Sequence, residues 1–284
     1  MPHRERITIT IRQDLLSRLD QTIDHQRVRN RSHAFEVMLS RLFASETRQA
    51  VILASGEGIN LRPFTYEIPK PLIPVNGRPL LEYSIELLRR HNITSIVMTV
   101  SHLAEKIKHH FGDGSSFGVR ITYIDEPRPS GTAGALLAAR QSLHDSPFLL
   151  LYGDVLLDVD LTEFLQSHSQ QKAALGTLAL TSVADPSSFG AVKMRGNRIV
   201  EFSEKPPVSS HVSRLVFAGA AGFAPDVFQF FPARHRGKLS LEKDIFPRLI
   251  AAGRLYGYPF EGQWFDVSSP ESYATALKNW HMNV

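Results

Sequence analysis

The 284-residue sequence contains no cysteine. That absence removes a disulfide framework, a thiolate nucleophile and a cysteine zinc site from consideration. Histidines number twelve, but none has metal-ligand spacing, and His109 and His110 read as a solvated helix end. No stretch approaches the roughly 18 apolar residues of a membrane span. The opening MPHRERITIT lacks the apolar run of a secretory signal, so a cytoplasmic location is expected. Net charge is a modest +4, with 43% hydrophobic and 21% charged residues. This is the composition of an ordinary globular chain, long enough for a large α/β core.

What charge there is sits unevenly. Residues 1–48 hold nine Arg, no Lys and six acids, and the rest of the chain is near neutral. Such a segment suits a separate module that meets phosphate, although a solvated basic helix pair would carry the same charge. Within it, Ile7, Ile9 and Ile11 alternate with Arg6, Thr8 and Thr10, the period of a short strand with one apolar face. Asp14 opens a helical stretch in which Leu15, Leu19 and Ile23 fall four residues apart. Asn30 suits the N-cap of a second helix, with Phe35, Met38, Leu39 and Leu42 on its apolar face.

One strand and two short helices cannot bury a core alone, and the strand has no partner within its own segment. Pairing with the same strand of a second chain would meet both needs. This order resembles the ribbon-helix-helix family of bacterial transcription regulators over residues 4–44. The resemblance implies a homodimer or higher homo-oligomer that binds DNA. Arg6, Thr8 and Thr10 would face base edges, while Asn30, Arg31 and Ser32 would meet phosphate. A purely dimerising or protein-docking arm is the alternative.

From Gln49 the pattern changes to buried strands alternating with amphipathic helices: QAVILA, a helix around 79–91, SIVMTVS, a helix near 103–111, VRITYID, a helix from 131 to 143, and FLLLYGD. The expected fold is α/β, a mostly parallel Rossmann-like sheet over residues 47–284 behind a small ribbon-helix-helix (β-α-α) module over residues 1–46. Sites in such sheets gather at the carboxyl ends of the strands. After the first strand, Ser55, Gly56 and Gly58 form a turn whose backbone amides can approach a polyphosphate. Lys70, stiffened by flanking prolines, can aim one cation at the same place. The Gly-x-Gly pair by itself reads more readily as an ordinary turn than as a phosphate loop, and it is neither a dinucleotide fingerprint nor a Walker A loop.

The ordered set SGEG, LRP, PKP, VNGRPL, GTAGAL, YGD, FGAV, FSEKP and WFDVSSPESY resembles the sugar-phosphate nucleotidylyltransferase family across nearly all of residues 49–284. That resemblance implies a nucleotidyltransferase that joins a nucleoside triphosphate to a sugar 1-phosphate, releasing pyrophosphate. It makes Lys70, Asp154, Lys205 and Asp266 catalytic, with Asp154 and Asp266 as Mg²⁺ ligands. Ser55, Gly56, Gly58, Asn60, Arg62, Glu126, Gly131 and Thr132 would bind the nucleotide. Gly190, Glu204 and Lys205 would bind the sugar phosphate. Glu126 stands where many relatives have Gln; its carboxylate would accept from the N1–H and N2–H₂ edge of guanine.

Departures from the family pattern are as informative. Asn60 stands where the family has an arginine that steadies the triphosphate, and Glu57 adds negative charge to the same loop. Loss of one such donor costs on the order of 10²–10³ in rate. Ser268 replaces a glycine, and Phe217 replaces an asparagine that commonly contacts the sugar. A second expectation therefore stands beside the enzyme: a DNA-binding regulator whose altered enzyme domain senses a nucleotide or nucleotide-sugar.

Overall fold

The structure is a computed structural model describing residues 8–23, 28–35, 38, 47–207, 213–234 and 237–281. The chain divides into two units, Met1–Ser45 and Glu46–Val284.

In the first unit, a helix spans Gln13–Asp20, with Asp14 in its first turn favouring the positive end of the helix dipole. Residues 31–35 are helical, and the Asn30 side chain accepts the His33 backbone N–H at 2.9 Å, the cap expected of it. Arg31 grips Asp20 with two hydrogen bonds of 2.7 Å each. Leu19 and Ala34 are buried, whereas Ile9, Leu15 and Met38 stay exposed. Thr8, Ile9, Thr10 and Ile11 join no strand ladder among the described residues. The strand expected from their alternation is therefore not formed within the described residues. Arg6, Ile7, Leu39 and Leu42 lie outside the described residues.

The second unit contains β1 (Gln49–Ala54), β2 (Pro74–Val75), β3 (Arg78–Pro79), β4 (Ser95–Val100), β5 (Arg120–Asp125), β6 (Phe148–Tyr152) and β7 (Val155–Leu157). Then follow β8 (Gly176–Ser182), β9 (Gly190–Arg195), β10 (Arg198–Glu204), β11 (Leu215–Phe223), β12 (Leu255–Pro259) and β13 (Trp264–Asp266). Nine of these form one sheet in the order β5-β4-β1-β6-β11-β8-β12-β10-β9. Four neighbours, β5, β4, β1 and β6, run parallel, as the alternation of strand and helix requires.

The expectation of a mostly parallel sheet fails beyond β6. There the sheet is mixed: β11 runs antiparallel to both β6 and β8, β10 antiparallel to β9 and β12, β12 parallel to β8, and an extra β11–β9 pairing partly closes the sheet. Among the described residues no helix separates β8, β9, β10 and β11 in the chain. Without crossover helices, successive strands can return only in the opposite direction.

Both faces of the sheet are covered. In β1, Ala50, Ile52 and Ala54 enter one core with Leu81, Ile85 and Leu88 of the helix Leu80–Arg90 and with Ile107 and Phe111 of Ala104–Phe111. Val51, on the opposite side of the pleat, enters a second core with Ala133 and Leu136 of the helix Thr132–Ala139 and with Phe246. Burying each of these aliphatic side chains contributes roughly 1.5–3 kcal/mol. A smaller core joins Leu61, Val75, Leu80, Leu156 and Trp280. The carboxyl ends of four parallel strands are thereby fixed side by side.

Candidate active site

Those strand ends carry the polar residues. β1 runs into Ser55 and Gly56, β5 into Glu126, and β6 into Tyr152, Gly153 and Asp154. Gly153 donates its N–H to the Leu53 carbonyl at 2.9 Å, and a Cβ there would lie only 2.9 Å from that oxygen. This contact draws the turn after β6 against the end of β1.

Asp266 arrives from far along the chain. β13 pairs antiparallel with β7, placing Asp266 opposite Val155, and the Val267 N–H reaches the Asp154 carbonyl at 2.9 Å. The two carboxylates therefore belong to one small ladder. Lys70, buried by the three-residue turn Lys70–Leu72, donates from Nζ to Asp154 Oδ2 at 2.6 Å. Burial, and next the Asp154 charge, push the Asp266 carboxyl up to about 6, while the Ser268 hydroxyl, Lys70 and Lys205 pull it back. Its Oδ1 is buried and has no hydrogen-bond partner among the described residues. Among the described residues no group of three or more His, Asp or Glu forms a closed metal cage. Two carboxylates with one orphaned oxygen nevertheless fit a hard divalent ion that retains waters.

Lys205 adopts a left-handed backbone, φ 49°, and donates its N–H to the Phe189 carbonyl at 2.9 Å. Burial raises the neighbouring Glu204 carboxyl, with the charge of Glu242 adding to the effect. Gly190 has a plain packing reason: a Cβ there would collide with the Phe202 ring. Phe217 is a core residue, edge-on to Tyr152 at 5.5 Å and to Phe246 at 5.7 Å.

Across the strand ends, Glu126 is 6% exposed. Its Oε1 accepts the Ser130 hydroxyl, and Oε2 is buried without a partner among the described residues. Gly131 sits at φ +85°, where a Cβ would strike the Leu239 carbonyl oxygen. Thr132 gives its hydroxyl proton to Glu242 at 2.8 Å, so that group is already engaged.

The loop after β1 is looser. A Cβ on Gly56 would meet nothing within 4 Å, whereas Gly58 takes φ +64° close against Thr65. Ser55 Oγ is buried and unpartnered. Asn60 is exposed, and Arg62 faces Glu57 at 3.6 Å and lies over the Tyr66 ring at 5.1 Å.

A family model described as Nucleotidyl transferase matches residues 49–282. The chain belongs to the nucleotidyl transferase family. It is 35% identical over 245 residues to a UTP–glucose-1-phosphate uridylyltransferase of Synechocystis sp., covering 81% of this chain and 62% of the relative. It is 34% identical over 234 residues to a mannose-1-phosphate guanylyltransferase catalytic subunit beta of Danio rerio, covering 81% and 63%. The chain thus spans under two thirds of these relatives' length. Among solved structures, a Bacillus anthracis protein described as a candidate glucose-1-phosphate thymidylyltransferase, in complex with sucrose, superposes with a TM-score of 0.75 at 25% identity. That match covers 83% of this chain and 97% of the other.

Sequence reasoning missed Glu242, Ser240, Tyr152 and Ser130. Tyr152 was within reach, since it opens the YGD motif. Glu242 carried no signal, because its partners Thr132 and Tyr152 lie 110 and 90 residues earlier in the chain.

Proposed function

We propose that the Glu46–Val284 unit transfers a nucleotidyl group from a nucleoside triphosphate to a sugar 1-phosphate. The observation carrying this reading is the convergence of Lys70, Asp154, Asp266 and Lys205 at one end of the sheet. A sugar-phosphate oxygen forms the new bond to the α-phosphorus, and the bond from that phosphorus to the bridging oxygen breaks. Pyrophosphate leaves with the electron pair. The attacking phosphate is already ionised near neutral pH, so positioning and charge neutralisation suffice. Asp154 and Asp266 would hold Mg²⁺, which when bound neutralises phosphate charge. Lys70 orients Asp154, and Lys205 with Glu204 meets the sugar phosphate.

Guanine is the base that best suits Glu126. Its Oε2 is buried without a donor among the described residues, and guanine offers the adjacent donors N1–H and N2–H₂, where uracil offers a single N3–H flanked by two acceptors. Both uridylyl- and guanylyl-transferring relatives are similar to this chain. The test incubates pure protein with Mg²⁺, each triphosphate and a panel of sugar 1-phosphates, following pyrophosphate. Release is expected, fastest with GTP. Background release with every pair would overturn the enzyme reading and favour a sensor.

A second reading concerns the Met1–Ser45 unit, whose exposed Ile9 and unladdered Thr8 and Thr10 suit a strand completed by a second copy. The paired ribbon would place Arg6, Thr8 and Thr10 in a DNA groove, with Asn30 and Ser32 at the backbone. Arg31 would first have to leave Asp20. Gel shifts on the protein's own promoter region at two salt concentrations test this. Absence of any salt-sensitive complex would overturn it.

A further inference from the structure

Glu242 lies in a π-helical turn, Leu241–Ile245, a rare geometry that often marks functional sites. Its carboxylate accepts three side-chain hydroxyls: Tyr152, Thr132 Oγ1 at 2.8 Å and Ser240 Oγ at 2.6 Å. Two of these hydroxyls are themselves oriented. Thr132 Oγ1 accepts the Leu241 N–H at 2.8 Å, and Ser240 Oγ accepts the Lys243 N–H at 3.2 Å. Each therefore has its single proton turned toward Glu242. Burial, then the Glu242 charge, hold the Tyr152 phenol well above its ordinary range, so it remains a donor.

Backbone bonds extend the same seam. The Leu239 N–H reaches the Ser130 carbonyl at 2.8 Å, and the Ala133 and Gly134 N–H groups reach the Leu239 carbonyl at 3.0 and 3.2 Å. Gly131 allows that approach, because any Cβ there would strike the same carbonyl. One end of the seam is the start of the helix Thr132–Ala139, just after Glu126. The other is the end of β6, two residues before Asp154. With three charge-assisted bonds taken, the carboxylate is occupied as an acceptor within the protein. That engagement suits a structural commitment better than a free substrate ligand.

We propose that Glu242 is a positioning residue that locks the base-side helix start to the strand end bearing Asp154. The spacing between the base-reading Glu126 and the Asp154–Asp266 pair then stays fixed while a triphosphate spans them. The catalytic consequence rests on the nucleotidyl-transfer reading; the lock itself does not. Glu242→Gln keeps the size but leaves one oxygen as acceptor, so at least one hydroxyl loses its partner.

Amide hydrogen exchange on the full chain measures the lock directly. In Glu242→Gln, exchange at Ala133 and Leu241 is expected to rise at least tenfold while Val51 in β1 is unchanged. The KM for GTP should rise at least tenfold, with a smaller change for the sugar phosphate, and Glu242→Asp should recover part of both. Tyr152→Phe and Thr132→Val should each give part of the exchange effect, and they carry the measurement if Glu242→Gln fails to fold. Unchanged exchange at Ala133 and Leu241 would overturn the proposal. So would a KM defect confined to the sugar phosphate, which would make Glu242 a direct ligand. Wild-type protein that releases no pyrophosphate would sink the functional reading, while the exchange rates would still decide the lock.

Discussion

The loop Ser55–Arg62 and the Lys70–Asp154–Asp266 cluster face the same strand ends but are held differently. In the cluster, Lys70 is buried, its ammonium is 2.6 Å from Asp154, and Asp266 is fixed by the β7–β13 ladder. In the loop, Gly56 has open space around it, Asn60 is exposed, and Arg62 is loosely paired to Glu57 at 3.6 Å. Exposed pairs of this kind contribute about 0–1 kcal/mol. Fixed charges in the cluster need no reorganisation when a triphosphate arrives. The loop carries one acid in its ion pair and no arginine at position 60.

Four experiments break or sharpen this contrast. The largest effect is expected in the cluster: Asp154→Asn removes the Lys70 ion pair and a metal-type carboxylate, and should lower kcat about 10³-fold. Steady-state rates check it, and a loss under tenfold would mean the cluster is not the centre of the chemistry.

The rigidity of the surrounding frame has its own readout. His168 is buried with Nδ1 2.8 Å from Thr177 Oγ1, and burial pushes its pKa down to about 4. An unfolded histidine titrates near 6.5. Above about pH 6.5 both states hold a neutral ring; between 6.5 and 4 only the unfolded chain takes the proton, so stability falls with acid. The loss should approach roughly 3 kcal/mol at pH 4, and urea midpoints at pH 7 and 4.5 measure it. If His168→Gln shows the same acid sensitivity, the group responsible lies elsewhere.

The loop should respond in the opposite direction. Asn60→Arg restores a cation beside the phosphates and is expected to raise turnover at least tenfold, about 1.4 kcal/mol in the barrier. Unchanged turnover would show that the loop does not limit the reaction. Smallest of all, Glu57→Gln frees Arg62 from its exposed partner and should lower the KM for triphosphate about threefold, in keeping with the weakness of surface pairs. An increase in KM would mean that Glu57 supports the loop.

Much of this was legible along the chain. QAVILA, SIVMTVS, VRITYID and FLLLYGD became β1, β4, β5 and β6, and Leu81, Ile85 and Leu88 faced the core as their spacing required. Asn76–Gly77, both at positive φ, made the β2–β3 hairpin that such a pair favours. The antiparallel half of the sheet was less legible, because the direction of a strand depends on its connection and neighbours rather than on its own residues. The Glu242 seam was invisible, since a glutamate among ordinary polar neighbours has no periodicity to betray the distant hydroxyls of Thr132 and Tyr152.

By itself, then, the sequence determined the alternation of buried strands and amphipathic helices, the caps and turns, and which residue types stand at the strand ends. These follow from side-chain period and local backbone preference. Tertiary structure alone decided that Asp266 comes beside Asp154 through the β7–β13 ladder, that the sheet becomes mixed after β6, and that Glu242 ties Thr132 to Tyr152. Those outcomes depend on which distant backbone groups and hydroxyls find each other as the chain closes, and hydrogen bonding across such separations leaves no mark on the local pattern.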